Sequence, residues 1–120
     1  MNNDTTHYYY LNKLAKPHHL RMIDEPVSDL RAIIKEPEWY HEHRMNTMPD
    51  LLLFYGHSNT VIELKGSKAK RGKAIKQITS GIEFLVEELY IPPESIKGKF
   101  VIYFPRGYRY ETTHERGIII

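Results

Sequence analysis

Two apolar segments joined by four turn-forming residues constrain the fold of this chain most strongly. Leu51–Tyr55 is an uninterrupted apolar run, and Thr60–Lys65 is rich in β-branched residues. Residues 56–59 between them, Gly-His-Ser-Asn, are of the types that favour turns. Short apolar runs on either side of such a turn are typical of a β-hairpin. The sequence therefore predicts two neighbouring antiparallel strands.

A long amphipathic helix and a further strand are predicted after the hairpin. In residues 75–89, isoleucine, leucine and valine recur at spacings of 3, 4, 3, 1 and 3, which only a helix places on one face. Pro92 and Pro93 end this helix, because proline cannot donate the backbone hydrogen bond that continues it. Lys99–Phe104 is a predicted buried strand, stopped by Pro105. Residues 106–120 are ambiguous.

The segment before the hairpin is predicted to hold a short helix and a strand. Asp24-Glu25-Pro26 is typical of a helix start, and apolar residues recur at helical spacing in Val27–Ile34 until Pro37 stops the run. Trp39–Arg44 is predicted as a strand, with a helical turn as the alternative because its period is not decisive. Residues 1–23 lie outside this pattern and are interpreted as an N-terminal extension.

The order of these elements predicts an α/β fold with a central mixed sheet flanked by helices, arranged α-β-β-β-α-β over residues 24–104. A chain of 120 residues suits a single domain, here residues 1–120. The absence of cysteine excludes disulfides and thiolate zinc sites. No apolar run approaches the roughly 18 residues that a spanning helix needs, so we expect a cytoplasmic protein without a membrane partner.

Three charged residues at the ends of the hairpin strands carry the predicted chemistry. Glu63 and Lys65 are two positions apart on one strand, so their side chains share a face. If the start of one strand pairs with the end of the next, Asp50 lies across from Glu63, and the two carboxylates repel each other unless a cation lies between them. Magnesium favours such oxygen ligands, and manganese is a substitute. The sequence thus predicts Asp50 and Glu63 as metal ligands, with Lys65 beside them.

This pattern resembles that of the PD-(D/E)xK nuclease superfamily, which includes restriction endonucleases and archaeal Holliday-junction resolvases. It consists of Pro49-Asp50, twelve intervening residues, and then Glu63-Leu64-Lys65. The resemblance covers roughly residues 24–104 and implies a restriction-endonuclease-like core that hydrolyses DNA phosphodiester bonds with Mg²⁺ (or Mn²⁺). Asp50, Glu63 and Lys65 would be catalytic.

The resemblance also implies a further polar residue on the long helix, where family members often carry glutamine or lysine. Gln77 is predicted for this role, and Lys73 and Lys76 compete for it; a polar residue on a solvated helix face is the alternative for each. Family members often add a first-helix glutamate as well. Glu25 and Glu36 are candidates, and spacing selects neither.

A cluster of basic residues around the start of the long helix is a candidate nucleic-acid-binding surface. An ordinary solvated charge run is the alternative. The residues are Lys68, Lys70, Arg71, Lys73 and Lys76. A second basic and aromatic stretch, Arg106–Tyr110, could stack on bases or pack in the core or a dimer.

The seven histidines do not predict a zinc site. His41 and His43 would share one face of a strand, and His18-His19 are adjacent, but neither pair has a third ligand at diagnostic spacing. His57 lies in the turn and is predicted to point away from the chemistry.

The predicted function is therefore a metal-dependent DNA endonuclease that acts as a homodimer, with selectivity for branched DNA favoured over general DNA cleavage. Cutting a duplex takes two active sites, and a minimal core supplies one. Gly117–Ile120 is a candidate strand addition or dimer contact. The alternatives are a non-catalytic nucleic-acid-binding module and an RNA-directed nuclease.

Overall fold

A computed structural model describes residues 2–35, 49–115 and 118–119. Helices α1 and α2 flank a sheet of six strands. The helices span Asn2–Leu14 (α1) and Arg71–Glu87 (α2). The strands are Ala32–Lys35 (β1), Leu51–Phe54 (β2), Asn59–Lys65 (β3), Ile96–Phe104 (β4), Gly107–Glu115 (β5) and Ile118–Ile119 (β6). Short 3₁₀ helices cover Pro17–Ile23, Lys68–Lys70 and Pro93–Ser95.

The strands lie in the sheet in their chain order, from β1 to β6. All neighbours are antiparallel except β3 and β4, which are parallel and are connected through α2. A parallel pair needs such a crossover, because a tight turn cannot return the chain to the same end of the sheet. The prediction of an α/β fold with a mixed sheet and flanking helices is confirmed, and the finer restriction-endonuclease-like assignment stays a prediction.

The sheet is covered on both faces, which explains why its central strands are apolar at consecutive positions. Leu51 and Leu53 of β2 face α1 and the 3₁₀ helix at residues 17–23. Leu52, between them, faces α2. The period of two in β2 thus divides one apolar run between two separate cores.

The predicted hairpin, the amphipathic helix and the buried strand after it are confirmed. β2 and β3 pair through Leu51–Ile62 and Phe54–Asn59. α2 buries Ile78 and Ile82 against the sheet. β4 begins three residues before the predicted strand.

The predicted helix over residues 27–34 is wrong. Residues 27–30 form a turn, and residues 32–35 are the edge strand β1, in which Ile33 pairs with Leu53 and Ile34 with Leu52. Ile33 then packs on the α1 face of the sheet and Ile34 on the α2 face. Two adjacent β-branched residues suit this alternation, and pairing with β2 outweighs the local helical spacing.

Residues 1–23, interpreted as an N-terminal extension, pack against the sheet. α1 contributes Leu11 and Leu14 to one of the two cores, and the 3₁₀ helix that follows contributes Leu20 and Ile23. The helix that precedes the three strands is therefore α1, while Trp39–Arg44 lies outside the described residues. The ambiguous C-terminal region forms β5 and β6, so residues 118–119 add a strand to the sheet.

Candidate active site

The hairpin register brings the two predicted carboxylates together. Leu51 pairs with Ile62, so Asp50 and Glu63 occupy the next position of the antiparallel ladder. The backbone N–H of Asp50 donates to Oε1 of Glu63 (3.1 Å), and Oδ2 of Asp50 accepts from the backbone N–H of Leu64 (2.8 Å). Each carboxylate therefore accepts a hydrogen bond from the backbone of the neighbouring strand.

Lys65 completes the predicted set of three. Its Nζ lies 3.0 Å from Oε2 of Glu63, as expected for two residues on the same face of β3. The Lys65 side chain is only 14% exposed, and that of Glu63 only 2%. The contact is therefore largely shielded from water, so the two groups interact more strongly than they would on the surface.

The position of Glu63 makes its negative charge costly. Burial is the main cause, the nearby Asp50 carboxylate adds to it, and Lys65 opposes it; together they raise the pKa of Glu63 to about 9. An acid with such a raised pKa, in a cleft beside a second carboxylate, is typical of functional sites. A bound cation would favour the ionised form of Glu63.

Helix α1 supplies a residue that the sequence interpretation missed. The His7 ring N–H donates to Oδ1 of Asp50 (Nε2–Oδ1 3.2 Å), because a carboxylate offers only acceptors. His7 also packs edge-on against Tyr103 of β4, with ring centroids 6.0 Å apart. A signal was present in the sequence, since His7, Leu11 and Leu14 recur at helical spacing.

These side chains line an open cleft of about 480 Å³, which we call the carboxylate cleft. It is lined by His7, Asp50, Glu63, Lys65, Gly66, Ser67, Lys70, Gln77 and Tyr103. Gln77, predicted from the resemblance, thus lies at this cleft, whereas the competing Lys73 and Lys76 are exposed residues outside its lining. Gly66 lets the loop after β3 approach Tyr103, because a Cβ there would lie 2.8 Å from the tyrosine Oη.

The five predicted basic residues are all exposed, and they divide by position. Lys70 lines the carboxylate cleft, and Lys68 lines the neighbouring groove. The guanidinium of Arg71 is paired with Glu111 of β5 at 2.7 Å. Lys73 and Lys76 follow on α2 and are exposed.

Glu25, a candidate for the first-helix glutamate, lies elsewhere. It is buried at the other end of the sheet, where its carboxylate accepts from the hydroxyls of Tyr55 and Thr60 and pairs with Lys99. Glu36, the other candidate, lies outside the described residues. Glu25 therefore does not join the carboxylate cleft.

Among residues 2–35, 49–115 and 118–119, no group of three or more His, Asp or Glu side chains is arranged to hold a metal ion. His18 and His19 contact each other, and His19 Nδ1 donates to the Lys13 carbonyl (2.8 Å). His57 lines a separate cleft with Glu25. His41 and His43 lie outside the described residues.

No family model, curated protein or solved structure matches this chain. Within the described part of the chain, neither helix has the length and apolar character needed to cross a bilayer.

Proposed function

We propose that this protein is a magnesium-dependent DNA endonuclease whose active site is the carboxylate cleft. The observation that supports this most directly is the adjacency of Asp50, Glu63 and Lys65. Their side chains converge at the ends of β2 and β3, and a cleft opens over them. Two carboxylates beside one lysine suit phosphodiester hydrolysis, and they agree with the resemblance to the PD-(D/E)xK superfamily.

The residues present fit a magnesium ion. Mg²⁺ usually binds through one or two carboxylates and keeps several of its waters, so it does not need a third acidic side chain. Asp50 and Glu63 are those carboxylates, and the raised pKa of Glu63 reflects a negative charge that lacks sufficient compensation. When bound, the ion would supply Lewis-acid stabilisation of the charge that develops on the phosphate.

The other side chains of the cleft have separate roles in this proposal. The Lys65 ammonium orients the attacking water and offsets charge that grows on the phosphorane. His7 orients Asp50 through its ring hydrogen bond, as outer partners of metal-ligating carboxylates commonly do. Gln77 contributes amide groups at the wall of the cleft. Lys70 and its basic neighbours on the loop and α2 attract the DNA backbone.

The proposal includes a homodimer and a preference for branched DNA. One described chain presents one carboxylate cleft, and cutting both strands of a duplex requires two. Within the described residues, little extends beyond the sheet and its helices that could enter the major groove and read bases. Recognition of backbone shape is therefore favoured over recognition of sequence.

The test is cleavage of labelled linear duplex, single-stranded and four-way-junction DNA, and of matched RNA, with Mg²⁺, Mn²⁺ or EDTA. We expect metal-dependent cutting, reduced at least about 100-fold in Glu63→Gln and Asp50→Asn, on the scale typical of lost catalytic groups. These substitutions keep the shape and the hydrogen-bond acceptors that Asp50 N–H and Leu64 N–H require.

Glu83→Gln is the matched control, because Glu83 is an exposed carboxylate on α2. It should cut at the wild-type rate. Thermal melting provides an independent measure of metal binding, since a ligand that binds only the folded state raises the melting temperature. Cutting that persists in EDTA, or that Glu63→Gln leaves unchanged, contradicts the proposal.

A non-catalytic nucleic-acid-binding module is the second candidate. The observation that favours it is that Asp50 and Glu63 each accept a backbone hydrogen bond across the β2–β3 pair, so both carboxylates also have a structural role. Such a module would bind nucleic acid without cutting it. Its affinity would not change between EDTA and Mg²⁺ at constant ionic strength.

A further inference from the structure

A second groove of about 530 Å³ opens beside the carboxylate cleft. The two share Gly66, Ser67 and Tyr103 in their linings. Because β3 and β4 are parallel, their carboxyl ends lie at the same end of the sheet, with the cleft at the end of β3 and the groove along the second half of β4. We call this second site the aromatic groove. A nucleic-acid strand that crosses this end of the sheet can occupy both the carboxylate cleft and the aromatic groove.

The floor of the aromatic groove is apolar. Phe100, Ile102 and Phe104 alternate along β4 and therefore share one face of the sheet. Phe100 is buried under α2, but Ile102 and Phe104 are only partly covered. An apolar strip thus leads out from under α2 and ends at the half-exposed Phe104 ring.

Positive charge borders this apolar strip. The Arg109 guanidinium lies over the Phe104 ring, with its central carbon 5.4 Å from the ring centroid. Lys68 lines the groove from the loop that follows β3. The groove also contains a carboxylate, that of Glu111, but Arg71 pairs with it at 2.7 Å and offsets its charge.

We infer that the aromatic groove binds an unpaired base of the DNA strand whose phosphate occupies the carboxylate cleft. This inference rests on the proposed function and specifies its substrate class. Nucleobases stack on aromatic rings and on guanidinium planes, and Phe104 with Arg109 presents both. The neighbouring phosphates complement Lys68 and Arg109, and the shared lining makes the two sites continuous.

The inferred substrate therefore contains a single-stranded segment next to the phosphate that is cut. A base in an intact duplex has both faces covered by its neighbours, so it can enter the groove only after unstacking. Flaps, overhangs and the strands at a branch point have bases that are already exposed. We expect such DNA to bind more tightly than an intact duplex of the same length.

The experiment measures the affinity of the full chain for DNA with a single-stranded arm, by fluorescence anisotropy in Ca²⁺ and in EDTA. An abasic site is moved along the arm one nucleotide at a time. At one position, wild type should lose roughly 5- to 150-fold in affinity, as expected when one stacked base is removed. Phe104→Ala should already have lost that affinity on the intact strand and should be insensitive to the abasic site there.

Three variants control this comparison. Phe104→Trp keeps an aromatic face and should restore the sensitivity to the abasic site. Arg109→Ala should weaken binding. Arg106→Ala, which removes an exposed arginine from the turn between β4 and β5, should have a smaller effect. Because Arg109 is exposed, its variant retains the fold and keeps the test valid even if Phe104→Ala unfolds.

The outcomes separate this inference from the proposed function. Equal losses at every abasic position in wild type and Phe104→Ala would overturn the base-binding groove, and cutting in Mg²⁺ would then leave the nuclease standing. Base-dependent binding without any cutting would support the groove and overturn the nuclease. Failure to bind any of these strands would overturn both.

Discussion

Glu63 carries a nearly fully buried carboxyl group beside a second one, an arrangement that makes its negative charge costly. Its folded-state pKa of about 9 lies well above the ordinary value of 4.5. Between these values the folded protein holds a proton that the unfolded chain has released. The free energy of unfolding must then fall as pH rises through this window, because the unfolded state binds fewer protons.

Glu63→Gln should remove this pH dependence. Glutamine cannot ionise, so the stability of the variant relative to wild type should increase with pH by up to about 1.4 kcal/mol per pH unit between pH 5 and pH 9. Urea unfolding in EDTA at several pH values measures the difference. Glu83→Gln should differ from wild type by the same free energy of unfolding at every pH. The same result for Glu63→Gln would contradict a raised pKa of Glu63 as the cause of the pH dependence.

At the scale of elements, the site depends on how closely α2 approaches the start of β2. Gly81 lies on the buried face of α2, where a Cβ would stand 2.6 Å from Cγ of Pro49 and 3.1 Å from Cγ1 of Val61. Pro49 directly precedes Asp50. Gly81 therefore sets the distance between α2 and the sheet next to Asp50, one of the two carboxylate residues of the cleft.

Gly81→Ala should destabilise the protein by about 1–3 kcal/mol, because overpacking against Pro49 outweighs the roughly 1 kcal/mol by which alanine favours a helix. Gly72→Ala is the matched control at the start of the same helix. A Cβ at Gly72 has no heavy atom within 4 Å, so this change should be neutral or stabilising. Urea unfolding of both variants checks the pair, and equal effects would refute the packing argument.

At the scale of the whole molecule, a buried ionic cluster connects segments that are distant in the chain. The Lys99 ammonium on β4 pairs with Glu25 (2.5 Å) and donates to the backbone carbonyls of Ile23 and Asp24. Burial lowers the pKa of Lys99, and Glu25 opposes this effect. The cluster connects the end of the first 3₁₀ helix to strand β4.

Glu25→Gln should cost about 3–5 kcal/mol, since it leaves a buried ammonium without its counter-charge. Adding Lys99→Met should recover part of this loss, so the two substitutions together should cost less than their sum. Lys97→Met is the control, because Lys97 also pairs with Glu25 (3.2 Å) but is partly exposed. Additive losses in urea unfolding would show that Glu25 and Lys99 act independently.

Elements whose periodicity is strong and local could be predicted from the sequence alone. The apolar run of β2, the turn after it and the β-branched run of β3 predicted the hairpin, and this pairing brought Asp50 next to Glu63. Lys65 followed from the alternation of a single strand. The spacing of isoleucine and leucine was similarly sufficient to predict α2, because the residues that a helix buries recur every three or four positions.

Features that depend on contacts between distant segments could not be predicted in this way. Residues 32–35 became a strand because the edge of β2 was available to pair with them, although their local spacing also suited a helix. His7 reached Asp50, 43 positions away, because α1 packs across the sheet. Glu25 pairs with Lys99 of β4, which is distant in the chain, since a buried carboxylate needs a charge partner. Such pairings leave no local period, so only the fold reveals them.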